Sequence, residues 1–475
     1  MSLVRWVANK EIKEIIRDGR LRLLGGIVVV LALAALAFGA QQTLEALDAR
    51  EHARKRSAKQ WENQGDKNPH VAAHYGTHLF APISAVTAID PGISAYLGRS
   101  VKIEAHKRNL AAHSSAQDST SLRRMGSFSV ASVLLQLVPL LIIALGHGLW
   151  SRERESGTLR QLLSTGADRR TLFWGKAGAL GVVIAVLLIP AALILIAVLW
   201  ALSGGDSATI FRLMLLVFTY GIYFAIFGGL TLYVSAINSS SRGALVAMIG
   251  VWGLFCLVAP RVATEVASAA QPLPSQGALA RDITQSLENG IGGKMERDTA
   301  VEAILTDLMA AENLSNTGLL VQGSQINGLE LQAEARWEDM IYDHHMQALD
   351  DDIEAQEKVV AFIGVISPFL AMRTLSAGLS GTDFSHHRHF TDQAEAWRKK
   401  LVTQLNKDFA DNAGYEGWEY RAGPELWKKI PPFTYEAPTV GFALQTHALS
   451  LGILLLWLVA AILLALRSAQ KVRVV

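Results

Sequence analysis

Apolar and polar positions divide the chain into long apolar runs separated by strongly polar stretches. A run of about 18 residues is enough to cross roughly 30 Å of hydrocarbon. Runs of that order occur at 23–40, 128–149, 172–202, 210–234, 244–260 and 442–466. The fifth is the shortest, and the third is long enough to tilt or to extend past the bilayer. The first ends in Ala37-Phe38-Gly39-Ala40, like a leader cleavage site. Its preceding region carries Glu11, Glu14 and Asp18, and its apolar run exceeds a usual leader core, so it is read as a span.

Six spans place both termini on one side. Residues 1–22 carry Arg5, Lys10, Lys13, Arg17, Arg20 and Arg22. The stretch 151–176 carries Arg152, Arg154, Arg160, Arg169, Arg170 and Lys176, and the tail 467–475 adds Arg467, Lys471 and Arg473. All fall on that side, whereas the opposite loop SGGDSA has no Lys or Arg, so the charge-rich side is expected to be cytoplasmic. Regions 41–127 and 261–441 then face outward; 41–127 is itself basic, but long loops translocate largely regardless of charge. In the second, Leu331, Ala335, Met340, Met346, Leu349 and Ile353 recur at helix-like intervals. The expectation is an all-α integral membrane protein: six transmembrane helices with a mainly helical extracytoplasmic domain built from two insertions. In segment 1–22, Leu3, Val7, Ile12, Ile15 and Ile16 fall near one helical face, which suits an amphipathic helix at the cytoplasmic interface with Trp6 at headgroup depth. The bland alternative is an extension of the first span.

Composition agrees with insertion: 51% of residues are hydrophobic and 18% charged. A net charge of +2, with no basic stripe interleaved with aromatics, argues against nucleic acid. The lone cysteine, Cys256, lies in an apolar run and reads as a small buried hydrophobe. No GxxxxGK[ST] loop occurs, FWGKAG and IGGKME being the nearest text, so an ATP-driven motor would have to be another chain. HExxH and a convincing set of nucleophile, base and orienting acid are also absent, so the chain is not expected to be an enzyme.

The segment SRERESGTLRQLLSTGADRR, between the second and third runs, combines charge with a leucine pattern. Gly157 can break the preceding helix and Thr158 can cap a short new one, on which Leu159, Leu162 and Leu163 fall at i, i+3 and i+4. Such a ridge suits docking to a soluble protein, and a solvated turn whose leucines touch lipid fits the periodicity equally. The arginines at 169 and 170, with Trp174 and Lys176, suit membrane re-entry. The order Glu153, Arg154, Glu155, Gly157, Thr158, Leu159, Leu162, Leu163 and Ser164, followed by Arg169 and Gly175-Lys176, resembles the cytoplasmic signature of ABC type-2 permeases. Usual members have a proline where this loop has Gly166 or Ala167. NPHVAAHYGTHLF, DPGISAYLGRSVKIEAHKRN and SPFLAMRTLSAGLSGTDFSHHRHFTDQAEAWRKK are similar to the subgroup with large outer domains, loosely labelled multicopper enzyme maturation permeases.

The resemblance implies that 150–171 is a coupling region for a separate ATPase, which binds ATP and Mg. Two permease subunits, identical or paralogous, would sit on two ATPases in a bacterial inner membrane. The activity implied is export, or extraction of an amphipathic substrate from the membrane lipid.

Histidines give a second set of candidates. His70, His74 and His78 are spaced by four after Asn68-Pro69, with Gly76 expected to interrupt before His78. His386, His387 and His389 form another group near Asp383. One reading is copper or zinc on the outer side; the other is that these imidazoles cap turns and pack between helices. Within or beside the spans, Gln136, His147 and Arg261 are candidates for a pathway or for interhelical packing. Pro139 and Pro190 can kink their helices. The rival to transport is a membrane scaffold that delivers metal to, or assembles, an extracytoplasmic metalloprotein partner; a membrane-bound hydrolase is a third, weaker reading.

Overall fold

The computed structural model describes residues 3–114, 128–312 and 323–472. Residues 115–127 of the first polar region and Arg473 of the tail lie outside the described residues. Helix α1, Leu3–Arg17, precedes α2, Leu21–Glu62. The other long apolar helices are α4, Val130–Glu155; α6, Arg169–Leu202; α7, Ser207–Ile237; α8, Ser241–Ala270; and α16, Ala448–Gln470. With α2 they make six helices long and apolar enough to cross a membrane. Between α2 and α4 lie α3, Pro69–Tyr75, and three strands: β1 (Thr77–Phe80), β2 (Ser100–Glu104) and β3 (Lys107–Arg108). The short α5, Thr158–Ser164, separates α4 from α6. Between α8 and α16 run α9 (Gln276–Asn289), α10 (Arg297–Ala311), α11 (Gly323–Ile363), α12 (Pro368–Ser380), α13 (Phe384–Asn412), α14 (Pro424–Lys429) and α15 (Val440–Thr446).

Helices outlast the apolar runs wherever no breaker stops them. After Ala40, the sequence QQTLEALDAREHARKRSAKQWE contains no Gly or Pro and is rich in good helix formers, so α2 continues to Glu62. Proline shapes two other spans. Pro139 has no N–H to give the carbonyl of Leu135; a π turn spans 133–137, and the Tyr223 hydroxyl donates to that carbonyl at 2.9 Å. Ahead of Pro260 a second π turn, Leu254–Val258, leaves the Phe255 carbonyl to accept from the Ser367 hydroxyl at 2.9 Å. α6 instead runs continuously through Pro190.

The two insertions share a core. β2 lies centrally in a three-stranded antiparallel sheet of order β1-β2-β3, with Thr77 opposite Ile103 and Glu104 opposite Lys107. Ala72, Leu79, Val101 and Ile103 from the first insertion pack with Phe390, Ala394, Leu401 and Leu405 of α13. Trp427 seals the edge: its indole N–H donates to the Gly65 carbonyl at 2.9 Å. Along α11, Leu331, Ala335 and Met346 are buried, whereas Met340 points outward.

Candidate functional site

The charges of 151–155 are directed inward or along the protein surface, each toward a different helix. Glu153 is 7% exposed and lies between Lys10 of α1, at 2.5 Å, and Lys176 of α6, at 2.8 Å. The second contact is an ion pair without hydrogen-bond alignment. Lys176 is fully enclosed and donates to the buried Glu11 of α1 at 2.6 Å. Burial alone would lower the Lys10 pKa, but Glu11 and Glu153 reverse this and raise it. The close approach of α1 and α6 depends on Gly175: a Cβ there would stand 2.5 Å from Cγ1 of Val7. Gly175 and Lys176 therefore work as a pair, the first admitting α1 and the second holding its carboxylate.

Arg154 and Glu155 match the polarity of two helix ends. Arg154 donates to the carbonyls of Ala236 (2.5 Å) and Asn238 (2.6 Å), unsatisfied groups at the C-terminus of α7. Glu155 accepts from the backbone N–H and hydroxyl of Ser241, at 3.0 and 2.6 Å, at the N-terminus of α8. Arg152 reaches Asp18, in the turn between α1 and α2, at 3.3 Å. Four consecutive residues thus fasten the end of α4 to four other helices and to the turn between α1 and α2.

Gly157 breaks the chain with φ 73°, a left-handed value that a side chain would strain. The Thr158 hydroxyl turns backward and donates to the Glu153 carbonyl at 3.3 Å, so it caps the preceding helix rather than its own. On α5, Leu159 is 1% exposed within this chain's core and Leu163 packs against the same core. The leucine ridge therefore does not project as the periodicity alone suggested. The outward edge carries Arg160, Gln161, Ser164 and, after the Gly166 turn, Arg170, while Leu162 is half-buried. Asp168 caps α6 by accepting from the Thr171 N–H at 2.5 Å.

The histidine groups rearrange as well. His70 and His74 share one face of α3, which Asn68 caps, and their Nε2 atoms are 3.0 Å apart. His78 is not with them: it lies on β1 opposite Lys102. The third member is His106, in the β2–β3 turn, whose Nε2 is 3.5 Å from that of His70 and whose Nδ1 is 2.7 Å from Glu338 of α11. Burial, then His74 and His106, push the His70 pKa down to about 4. Burial, then His106, lower His74, whereas the hydrogen bond to Glu338 raises His106. Sequence spacing could not join His106 to this group. Its one local signal was a histidine between two short alternating stretches, at a turn.

His386, His387 and His389 do not converge. His386 pairs with Asp383, whose other oxygen accepts from His447 at 2.6 Å. Burial would raise the Asp383 carboxyl, but these two imidazoles hold it well below the carboxylate range. His389 meets the Tyr435 hydroxyl at 3.1 Å, and burial lowers both His387 and His389. Of this second group, the His386 side chain meets Asp383 and the His389 side chain meets Tyr435.

The family described as ABC-2 family transporter protein matches residues 5–473, nearly the whole chain. The chain belongs to that family. No curated protein matches it. Membership makes this multi-pass membrane protein a permease component of an ATP-binding-cassette transporter.

Within this ABC-2 permease, the spans line a half-open cavity of about 530 Å³. Its lining is almost wholly apolar, including Leu36 of α2, Ile142 of α4, Ile184 of α6 and Phe224 of α7. Tyr220 is the polar point: its hydroxyl is 3.0 Å from Ser376, which donates to the buried Asp90 at 2.5 Å. The Gln136 carbonyl accepts from Trp252 at 3.0 Å, and Gln136 does not line the cavity. His147 contacts the Ile143 carbonyl (3.1 Å) and Arg20 (3.5 Å) beside α1, and Arg261 is exposed on α8.

Proposed function

We propose that this permease is driven by a separate ATPase acting on the exposed edge of 158–170, and that it exports an apolar or amphipathic substrate, or extracts one from the bilayer. The observation that carries this reading is the fastening of 152–155 to α1, α6, α7 and α8 and to the turn between α1 and α2. A push on α5 is then delivered to the spans together. Motion of packed helices as bodies can alternate access to a cavity between them, and the ATPase supplies the energy bias. Family membership supports the ATPase partner, and the apolar lining supports the substrate class. In this reading α1 and 151–168 are cytoplasmic, the insertion domain is extracytoplasmic and a second permease completes the assembly.

The test is cross-linking in the assembled complex, in a Cys256→Ala background. A cysteine at Ser164 or Arg160 is expected to cross-link to the ATPase in a nucleotide-dependent manner. Retained ATPase association with no cross-link from either position rules out this edge as the contact.

A further inference from the structure

We propose that His70, His74 and His106 form a zinc-class metal site that joins the two insertions, with Glu338 orienting His106. This inference stands independently of the transport reading. The ligand atoms of the three histidines all lie within 4.8 Å of one another. Nitrogens around a tetrahedral zinc at about 2.0–2.1 Å stand about 3.3–3.4 Å from each other. The observed Nε2 separations of 3.0 Å and 3.5 Å about His70 bracket that spacing.

The outer contacts set which nitrogen faces inward. With Glu338 accepting at Nδ1, His106 carries its proton there and turns the Nε2 lone pair toward His70. Metal binding at Nε2 of His70 would put a proton on its Nδ1. That atom is buried without a hydrogen-bond partner, as is Oδ1 of Asn406, whose side chain interacts with His70. One ion among the three Nε2 atoms would therefore align both outer pairs, carboxylate to His106 and amide to His70. The donor set of three imidazoles without thiolate suits a borderline divalent ion.

Backbone conformation is the second observation. His106 holds φ 63° in a turn where glycine would be unstrained. That conformation costs a non-glycine residue some energy, and here the His106 imidazole reaches both α3 and α11. The site ties α3 and the β2–β3 turn of the first insertion to α11 of the second. His74 is exposed, which leaves an open side for a fourth ligand such as water.

The experiment titrates Zn2+ into the purified full-length chain against a chromophoric chelator. The expected result is one Zn2+ per chain. His106→Asn, which suits the left-handed turn, should abolish it while the chain stays folded, as read by a cooperative melt without metal. Glu338→Gln should weaken it by about 10–100-fold. His78→Ala should match the unsubstituted chain. Failure of that chain to bind Zn2+, or wild-type affinity in folded His106→Asn, overturns the site.

Discussion

Two polar clusters, at 151–155 with α1 and at His70, His74 and His106, solve opposite problems. In the first, charged groups meet partners supplied by the chain: Lys176 has Glu11 and Glu153, Arg154 has the end of α7, and Glu155 has the start of α8. In the second, the nitrogen acceptors converge on one another. The first arrangement fixes helices in place by pairing opposite charges within the chain. The second would be completed by the proposed metal ion. A cluster of polar residues in a membrane protein can therefore be sorted by whether its partners are internal.

The largest effect should come from breaking the internally completed cluster. Lys176→Met leaves Glu11 and Glu153 buried with half their compensation, and is expected to cost about 3–5 kcal/mol, read as thermal unfolding in detergent. A shift no larger than that of an exposed substitution would break the contrast.

A smaller effect sharpens it from the insertion domain. Glu357 of α11 is raised from 4.5 to about 7, chiefly by burial and then by Asp383, with Glu354 adding and His447 opposing. A carboxyl whose folded pKa is raised binds its proton more tightly when folded. Its contribution is thus fully present below about 4.5 and is lost as pH rises through about 7, worth on the order of 3 kcal/mol. Between pH 5 and pH 8 the melting temperature of the unsubstituted chain should fall relative to that of Glu357→Gln. Equal slopes would remove Glu357 from the account.

The membrane architecture was legible because apolar length is a strong local signal, and all six spans carry it. Their ends were less so: α2 runs to Glu62 because helix-forming residues continue where the apolar run stops. The segment 151–168 was recognisable by resemblance, yet the direction of its side chains was not. Periodicity places Leu159, Leu162 and Leu163 on one face, but only packing decides whether that face meets a partner or the chain's own core. Glu153 and Lys10 are 143 positions apart and read separately as ordinary solvated charges. His106 and Glu338, 232 positions apart, were invisible for the same reason.

Rigid fastening of 151–168 to the spans is most directly tested by pulsed electron spin resonance on the ATPase-bound complex. Spin labels would be placed at Ser164→Cys on α5 and Ile249→Cys on α8, in a Cys256→Ala background. The expected distance distribution is the same without nucleotide and with ATP trapped, and it broadens when Arg154→Ala and Glu155→Ala remove the links to α7 and α8. A distance that changes between nucleotide states in the chain with both links intact would contradict the account, because α5 would then move independently of the helix it is held to drive.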